Sequence, residues 1–267
     1  MSTRCLLRVA TIGLLATLAA CGRGRSAAAP PSSPARASIP PRNGLEVIGA
    51  MRRAHPSRAL KSLSFTVSTT EHGADTSRVV LSRAHAALPG KFRMSKLPSS
   101  VRSGYVRDRQ RLSVFERGRR VTALARVDLT SLLAYDVFAQ SIDTTIMWLD
   151  SARVRFALAR RDELDGRRVW VVGAIEGDTT SSQFWVDAER WRVLRVIQRD
   201  SRFPNDIVDV RFTEFVERLG VPVPMRNVVY RNGTLVQTHF ISDLAVNPSL
   251  PFRAFDLSRW RNVRAGN

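Results

Sequence analysis

The chain has 267 residues, and 42 lysines and arginines against 23 aspartates and glutamates give a formal net charge of +19. This length is enough for one sizeable domain, and two cysteines are too few for a fold held by several disulfides, so stability must come from a packed core. The basic balance predicts an anionic partner, either nucleic acid or the headgroups of membrane lipids. The alternative is a solvated arginine-rich surface encoded by a GC-rich genome.

Residues 1–20 have the organisation of a secretory signal. Arg4 and Arg8 precede a short apolar run from Val9 to Leu18, and small residues follow it. The run is too short to span a bilayer as a helix, which needs about 20 apolar residues. Export excludes nucleic acid as the main partner and leaves membrane lipid.

The signal ends in a cysteine directly after three small or apolar residues, Leu18, Ala19, Ala20 and then Cys21. This order resembles the lipobox of bacterial lipoproteins. The resemblance implies cleavage before Cys21, acylation of its sulfur and its new amino group, and a durable membrane anchor. Gly22 follows the cysteine where an aspartate would favour the inner membrane, which implies the outer membrane, facing the periplasm. The alternative is an ordinary signal peptide with a chance cysteine.

Residues 21–42 are rich in Ala, Pro, Ser and Arg and have no apolar periodicity. They are predicted to be a semi-extended tether between the membrane and the rest of the chain. Residues 43–267 are predicted to form one β-rich domain. It begins with a helix, because Leu45, Ile48 and Met51 are spaced as on one helical face, Asn43 is a suitable N-cap, and Pro56 ends the pattern.

Beyond residue 60 the apolar period changes to two, which predicts a succession of short strands. Asp165-Gly166 and Asn232-Gly233 are signals for type I′ hairpins, and the short connections imply antiparallel neighbours. One amphipathic helical region, from Asp128 to Leu149, interrupts the strands. About ten strands and two or three helices are expected. The fold class is therefore mainly β (α+β), with a large curved antiparallel sheet that packs one face on helices.

Several segments, in the right order, resemble the LolA/LolB-type carriers and receptors of bacterial lipoproteins. They are Leu88 to Arg93 (LPGKFR), Gln183 to Asp187 (QFWVD) with Arg192 to Arg195, and Val246 to Phe255 (VNPSLPFRAF). The resemblance covers residues 44–258 and implies a half-open β-barrel closed by helices, with an apolar cavity for acyl chains. Leu88 stands where carriers have an arginine before the proline. This departure and the anchor favour a receptor-like lipid-binding member over a soluble shuttle.

The resemblance makes alternating aromatic and aliphatic residues candidates for the lining of the cavity. They are Phe65, Val67, Phe92, Met94, Phe115, Trp148, Trp170 and Trp185. The alternative for each is an ordinary core position, because period two groups residues on one face without saying which face it is. Four arginines are candidates for binding an anionic headgroup, since guanidinium groups donate two hydrogen bonds to phosphate. They are Arg83, Arg93, Arg192 and Arg195, with a solvated surface as the alternative.

No pattern indicates a catalytic site, a metal site or a cofactor. The four histidines are isolated and have no metal-ligand spacing, and no nucleophile, phosphate-loop or metalloprotease motif is present. The sequence therefore predicts a non-enzymatic lipoprotein that binds lipid acyl chains or lipidated proteins, in lipid or lipoprotein sorting. The alternative is an envelope protein-interaction or stress-sensing module on the same fold without lipid cargo. An unrecognised hydrolase is a third reading.

Overall fold

The computed structural model describes residues 40–56, 59–200, 203 and 205–257. Leu18, Ala19, Ala20 and Cys21, together with most of the predicted tether, lie outside the described residues. None of the described helices is long and apolar enough to cross a membrane.

The described residues form one antiparallel sheet of thirteen strands, against the ten or so expected. The strands are β1 (Ser62–His72), β2 (Ser77–Ala87), β3 (Lys91–Lys96), β4 (Gly104–Asp108), β5 (Arg111–Glu116), β6 (Arg119–Ala125), β7 (Ala159–Leu164), β8 (Arg167–Val172), β9 (Gln183–Asp187), β10 (Val193–Arg199), β11 (Ile207–Arg218), β12 (Val221–Arg231) and β13 (Thr234–Val246). Several strands have only five or six residues and are separated by two-residue turns, so the pattern of alternation predicts fewer strands than the sheet contains.

The order of strands across the sheet is β6-β5-β4-β3-β2-β1-β13-β12-β11-β10-β9-β8-β7. The first and last strands, β1 and β13, are therefore paired in the middle, and β6 and β7 are the two edges. The chain between these edges contains the helices α2 (Leu129–Ser131), α3 (Val137–Ala139) and α4 (Ile142–Ser151), with a π-helical turn (Leu132–Asp136) between α2 and α3. Since this segment joins opposite edges of a curved sheet that is not closed, it crosses the concave face and covers it.

The helices begin where the sequence predicts. The side chain of Asn43 accepts from the Glu46 amide at 3.0 Å and caps α1 (Gly44–Ala54), while Asp128 accepts from the Thr130 amide at 3.0 Å and caps α2. In α1 the buried residues include Ile48 and Met51 as expected, but Leu45 is 42% exposed. The face of α1 that packs in the core is therefore rotated from the predicted one, and it includes Val47 in place of Leu45.

Both predicted hairpins are present. Asp165 and Gly166 have φ angles of 50° and 75°, and Asn232 and Gly233 have 49° and 81°, so each turn has the left-handed backbone that a type I′ turn requires. They join β7 to β8 and β12 to β13. The main core lies between the concave face of the sheet and the helices, and it includes Leu63, Leu133, Leu149 and Phe184.

Candidate functional site

The concave face of the sheet contains a cavity of about 220 Å³ beneath the helical segment. Strands β1, β3, β4, β11, β12 and β13 supply its floor, and residues 128–135 supply its roof. Most of the floor is apolar, including Val210, Phe212 and Ile241. The cavity therefore has the apolar lining and the few polar groups that are typical of a site for a small apolar ligand.

Four of the eight predicted lining residues meet in this cavity. Phe65 and Val67 are alternate residues of β1, and Phe92 and Met94 are alternate residues of β3. The rings of Phe65 and Phe92 are 6.2 Å apart, and Phe92 stacks on Tyr105 at 5.7 Å. The alternation of each strand thus places its apolar residues on the concave face, as period two predicts.

The other four predicted lining residues lie elsewhere. Phe115 packs with Val106 and Phe255 on the opposite face of the sheet, and Trp185 packs there with Val169 and Leu194. Trp170 is part of the main core, and the guanidinium of Arg161 lies 5.1 Å from its ring. Trp148 lines a different groove of about 440 Å³ beside α4, which meets the cavity at Asp128. Period two groups residues on one face, and for Phe115 and Trp185 the face is the outer one.

Two polar side chains interrupt the apolar floor. His239 and Asn227 are directly opposed on β13 and β12, and both line the cavity. The Thr69 hydroxyl lies 2.9 Å from His239 Nδ1. Burial lowers the pKa of His239 to about 4, and the negative charge of Glu71 acts in the opposite direction. His239 is therefore neutral at pH 7, and the cavity contains no charged imidazolium.

The roof is attached to the sheet by a buried ion pair that sequence reasoning missed. Arg107 Nη1 of β4 donates to Asp136 Oδ2 at 3.3 Å, and the amide of Gly90 donates to Asp136 Oδ1 at 2.9 Å. Burial raises the pKa of Asp136, and Arg107 opposes that rise. Alternation on β4 could have indicated this pair, because it puts Arg107 on the same face of the sheet as Tyr105. Asp128 and Asp136 lie eight residues apart, about two helical turns.

Further contacts hold the ends of the same segment. The side-chain oxygen of Gln198 accepts from the Leu129 amide at 3.1 Å, which fixes the start of α2 to β10. Arg52 of α1 donates to the carbonyl of Val137 at 2.6 Å and to that of Gln140. The roof is thus held by the sheet and by α1 together.

The four predicted headgroup arginines are absent from the linings of this cavity and of the grooves beside it. Arg83 alternates with the buried Ala84 and so lies on the outer face. Arg93 is buried under the C-terminal segment, where Nη1 donates to the carbonyl of Ala254 at 2.9 Å, and burial lowers its pKa to about 10.

The remaining two of the four bind side chains of their own sheet. Arg195 makes two hydrogen bonds with Asp209, at 2.9 and 2.8 Å, and stacks on Trp185. The Arg192 guanidinium lies 4.1 Å from the Phe215 ring. Their positions favour a structural role, which the sequence could not separate from headgroup binding because both roles use the same residue type.

The cavity continues into an open groove of about 510 Å³ at one end of the sheet. The two spaces share Tyr105, Asp128 and Val229. Apolar residues of β5, β6 and β11 line the groove, among them Leu124 and Val208, together with charged residues. The groove alone lies within the range of about 300–1,000 Å³ that ligand sites occupy, whereas the cavity alone is below it. Among the described residues, no cluster of histidine and acidic side chains could hold a metal ion.

Comparisons with known proteins identify the fold. No family model matches the sequence, and no curated protein matches it. Among solved structures, a domain assigned as an outer membrane lipoprotein-sorting protein of Vibrio parahaemolyticus aligns with a TM-score of 0.57 at 13% identity, over 82% of this chain and 98% of that one. A DUF1329 family protein of Desulfovibrio piger gives 0.55 at 15% identity, over 81% and 97%. A LolA superfamily protein of Nitrosomonas europaea gives 0.51 at 15% identity, over 78% and 95%.

Proposed function

We propose that this chain, whose fold is LolA-like, is a cell-envelope protein that binds the acyl chains of lipids or of lipidated proteins. The observation that carries the proposal is the apolar cavity under the helical segment and its continuation into the open groove. Burial of each methylene group stabilises a complex by about 0.8 kcal/mol, so a few buried methylenes give measurable affinity. The groove offers a route by which a chain reaches the cavity along the sheet.

The proposal includes the location of the protein. Acylation of Cys21 would anchor it in the membrane, and the residue after the cysteine favours the outer membrane, with the domain facing the periplasm. The Vibrio parahaemolyticus neighbour is described as a lipoprotein-sorting protein, which supports a related role in lipid or lipoprotein sorting. No step of this role requires an enzymatic reaction.

A cavity-filling variant tests the proposal. Met94→Trp places a larger apolar side chain in the cavity and so reduces its volume. Leu81→Trp, on the outer face, is the matched control. Both would be made in the full chain carrying Cys21→Ala, so that no acyl group of the protein itself competes. We expect Met94→Trp to weaken binding of a fluorescent fatty acid about tenfold, which corresponds to two methylene groups excluded. The control should bind as the parent does.

Two results would count against acyl binding. One is equal affinity of the Met94→Trp and Leu81→Trp proteins for the probe, with both folded by circular dichroism. The other is no uptake of the probe by the parent chain, which would favour the interaction module without lipid cargo.

A further inference from the structure

A further pocket lies between the ends of strands β6 and β10 and the end of α4. Its volume is about 510 Å³. The last residues of β6 and β10, the turn after α4 and the segment before β9 line it. Four of the lining residues are arginines, namely Arg126, Arg153, Arg155 and Arg199. None of the lining residues is an aspartate or a glutamate, so the described lining has four positive charges and no negative one.

Fixed hydrogen bonds hold two of these arginines in place. Arg126 Nη1 donates to the carbonyl of Asp200 at 2.8 Å. Arg155 Nε donates to the carbonyl of Gly173, and Nη2 lies 3.3 Å from both Asp178 Oδ2 and Ser181 Oγ. These contacts use only part of each guanidinium fork, so further N–H groups remain for a ligand. The guanidinium of Arg153 makes no hydrogen bond or ion pair with the described residues, and only its backbone amide is bonded, to the carbonyl of Asp150.

Hydroxyl groups complete the lining on the side of the segment before β9. Thr180, Ser181 and Ser182 are all lining residues. Asp178 organises this turn, because its Oδ1 accepts from the amides of Thr180 and Ser181 at 2.9 and 3.0 Å. The hydroxyl of Ser181, followed by these two amides, holds the pKa of Asp178 well below its usual range. The Asp178 carboxylate is thus bound by the turn and by Arg155, so its charge offsets that of one arginine of the pocket.

The pocket adjoins the groove of the acyl site. Arg126 and Arg199 line both spaces. The groove is different in charge, because Glu71, Asp128 and Asp200 lie among its lining residues beside its arginines. A molecule with its chains in the cavity and groove can therefore place an anionic group in the arginine pocket.

We propose that this pocket binds the phosphate group of an anionic lipid whose acyl chains occupy the cavity, a proposal that rests on the function proposed above. Phosphate suits the lining because it offers several acceptor oxygens in one compact group, which guanidinium forks and hydroxyls can bind together. A lone carboxylate has two oxygens and would leave guanidinium donors of Arg126, Arg153 and Arg155 unused. Phosphate reduces the repulsion among the guanidinium groups of the pocket, since the lining has no carboxylate and Asp178 beside it pairs with Arg155.

The test compares two short-chain lipids that differ only in the phosphate. Dioctanoyl phosphatidate and dioctanoylglycerol would be titrated into the full chain carrying Cys21→Ala, below their critical micelle concentrations. Charge-assisted hydrogen bonds are roughly twice as strong as neutral ones, so we expect the phosphatidate to bind at least about tenfold more tightly. The paired change Arg153→Gln and Arg155→Gln should abolish that preference and leave the affinity for dioctanoylglycerol unchanged.

The paired change Arg119→Gln and Arg120→Gln is the matched control, because it removes the same charge from exposed residues at the β5–β6 turn. It should keep the preference for phosphatidate. Arg153→Gln alone makes the test independent of folding, since it removes no side-chain hydrogen bond or ion pair with the described residues, and it should reduce the preference by itself.

Each outcome separates the two proposals. Equal affinity for both lipids, or a preference that survives Arg153→Gln and Arg155→Gln, overturns the phosphate site and leaves acyl binding intact. Failure of both lipids to bind overturns the proposed function. Inorganic phosphate that binds as tightly as dioctanoyl phosphatidate would show a site for free phosphate and contradict the lipid headgroup.

Discussion

The guanidinium of Arg107 lies 3.3 Å from the carboxylate of Asp136, and the two residues are only 5% and 2% exposed. This pair joins β4 to the π-helical turn above the cavity. Arg107 Nε also lies 3.9 Å from Asp128, at the start of the same helical segment. One arginine of the sheet thus faces two carboxylates of the roof that lie about two helical turns apart, and it lines both grooves.

Removing the charge of Asp136 should destabilise the protein strongly. Asp136→Asn keeps the size of the side chain and an acceptor for the Gly90 amide, but it leaves the buried Arg107 with a much weaker partner. Loss of one member of a buried ion pair costs about 3–5 kcal/mol, so we expect a decrease of about 3 kcal/mol in the free energy of unfolding in urea.

Asp143→Asn is the control for this change, because Asp143 lies exposed in the first turn of α4. It should change the free energy of unfolding by less than about 0.5 kcal/mol. If Asp136→Asn behaved like Asp143→Asn, the pair would not hold the roof. The double change Arg107→Leu and Asp136→Leu should recover much of the loss, since it removes both buried charges.

The buried His239 should make stability depend on pH. Its pKa is about 4 in the folded protein, below the unperturbed value of about 6.5, so the unfolded chain binds the proton more tightly. The stability it contributes is present above about pH 6.5 and is lost as the pH falls toward 4. Between pH 7 and pH 5 the free energy of unfolding should decrease by about 2 kcal/mol from this group alone.

The measurement is urea unfolding of the parent and of His239→Gln at pH 7 and pH 5. The difference between the two proteins cancels the contribution of every other titrating group. A parent and variant with the same dependence on pH would show that the imidazole is not buried in the folded state as described.

Trp148 should matter more for binding than for stability. It lines the groove beside α4, is half-buried, and packs against the main core from its edge. Trp148→Asp places a carboxylate in that groove, which should weaken binding of a fluorescent fatty acid at least about tenfold. Ile175→Asp, at a residue 59% exposed outside the groove, is the control and should bind normally.

A thermal melt distinguishes a binding effect from unfolding. The melting temperature of the Trp148→Asp protein should decrease by only a few degrees, because the residue is not fully enclosed. Unchanged affinity in a folded Trp148→Asp protein would remove this groove from the acyl site.

The sequence predicts well what depends on local pattern. Alternation in β1 and β3 grouped Phe65 with Val67 and Phe92 with Met94, and these four residues do share a cavity. The turn dipeptide Asn232-Gly233 predicts its hairpin because few residues adopt its backbone. Both inferences need only neighbouring residues, which the sequence supplies directly.

What the sequence could not supply depends on pairing between distant strands. Trp185 alternates as regularly as Phe65, but which face of the sheet is concave follows from the pairing of β1 with β13 and from the path of the helical segment. The same holds for Arg126 and Arg153, which meet in one pocket although no local pattern joins them. Arginine is abundant along the whole chain, so charge alone could not single them out.

The most direct test of acyl binding is native mass spectrometry of the full chain carrying Cys21→Ala, purified from a bacterial envelope without detergent. We expect a mass above that of the protein alone, with a phospholipid, fatty acid or acylated peptide released on activation. A protein of bare mass that also takes up no fluorescent fatty acid would contradict it.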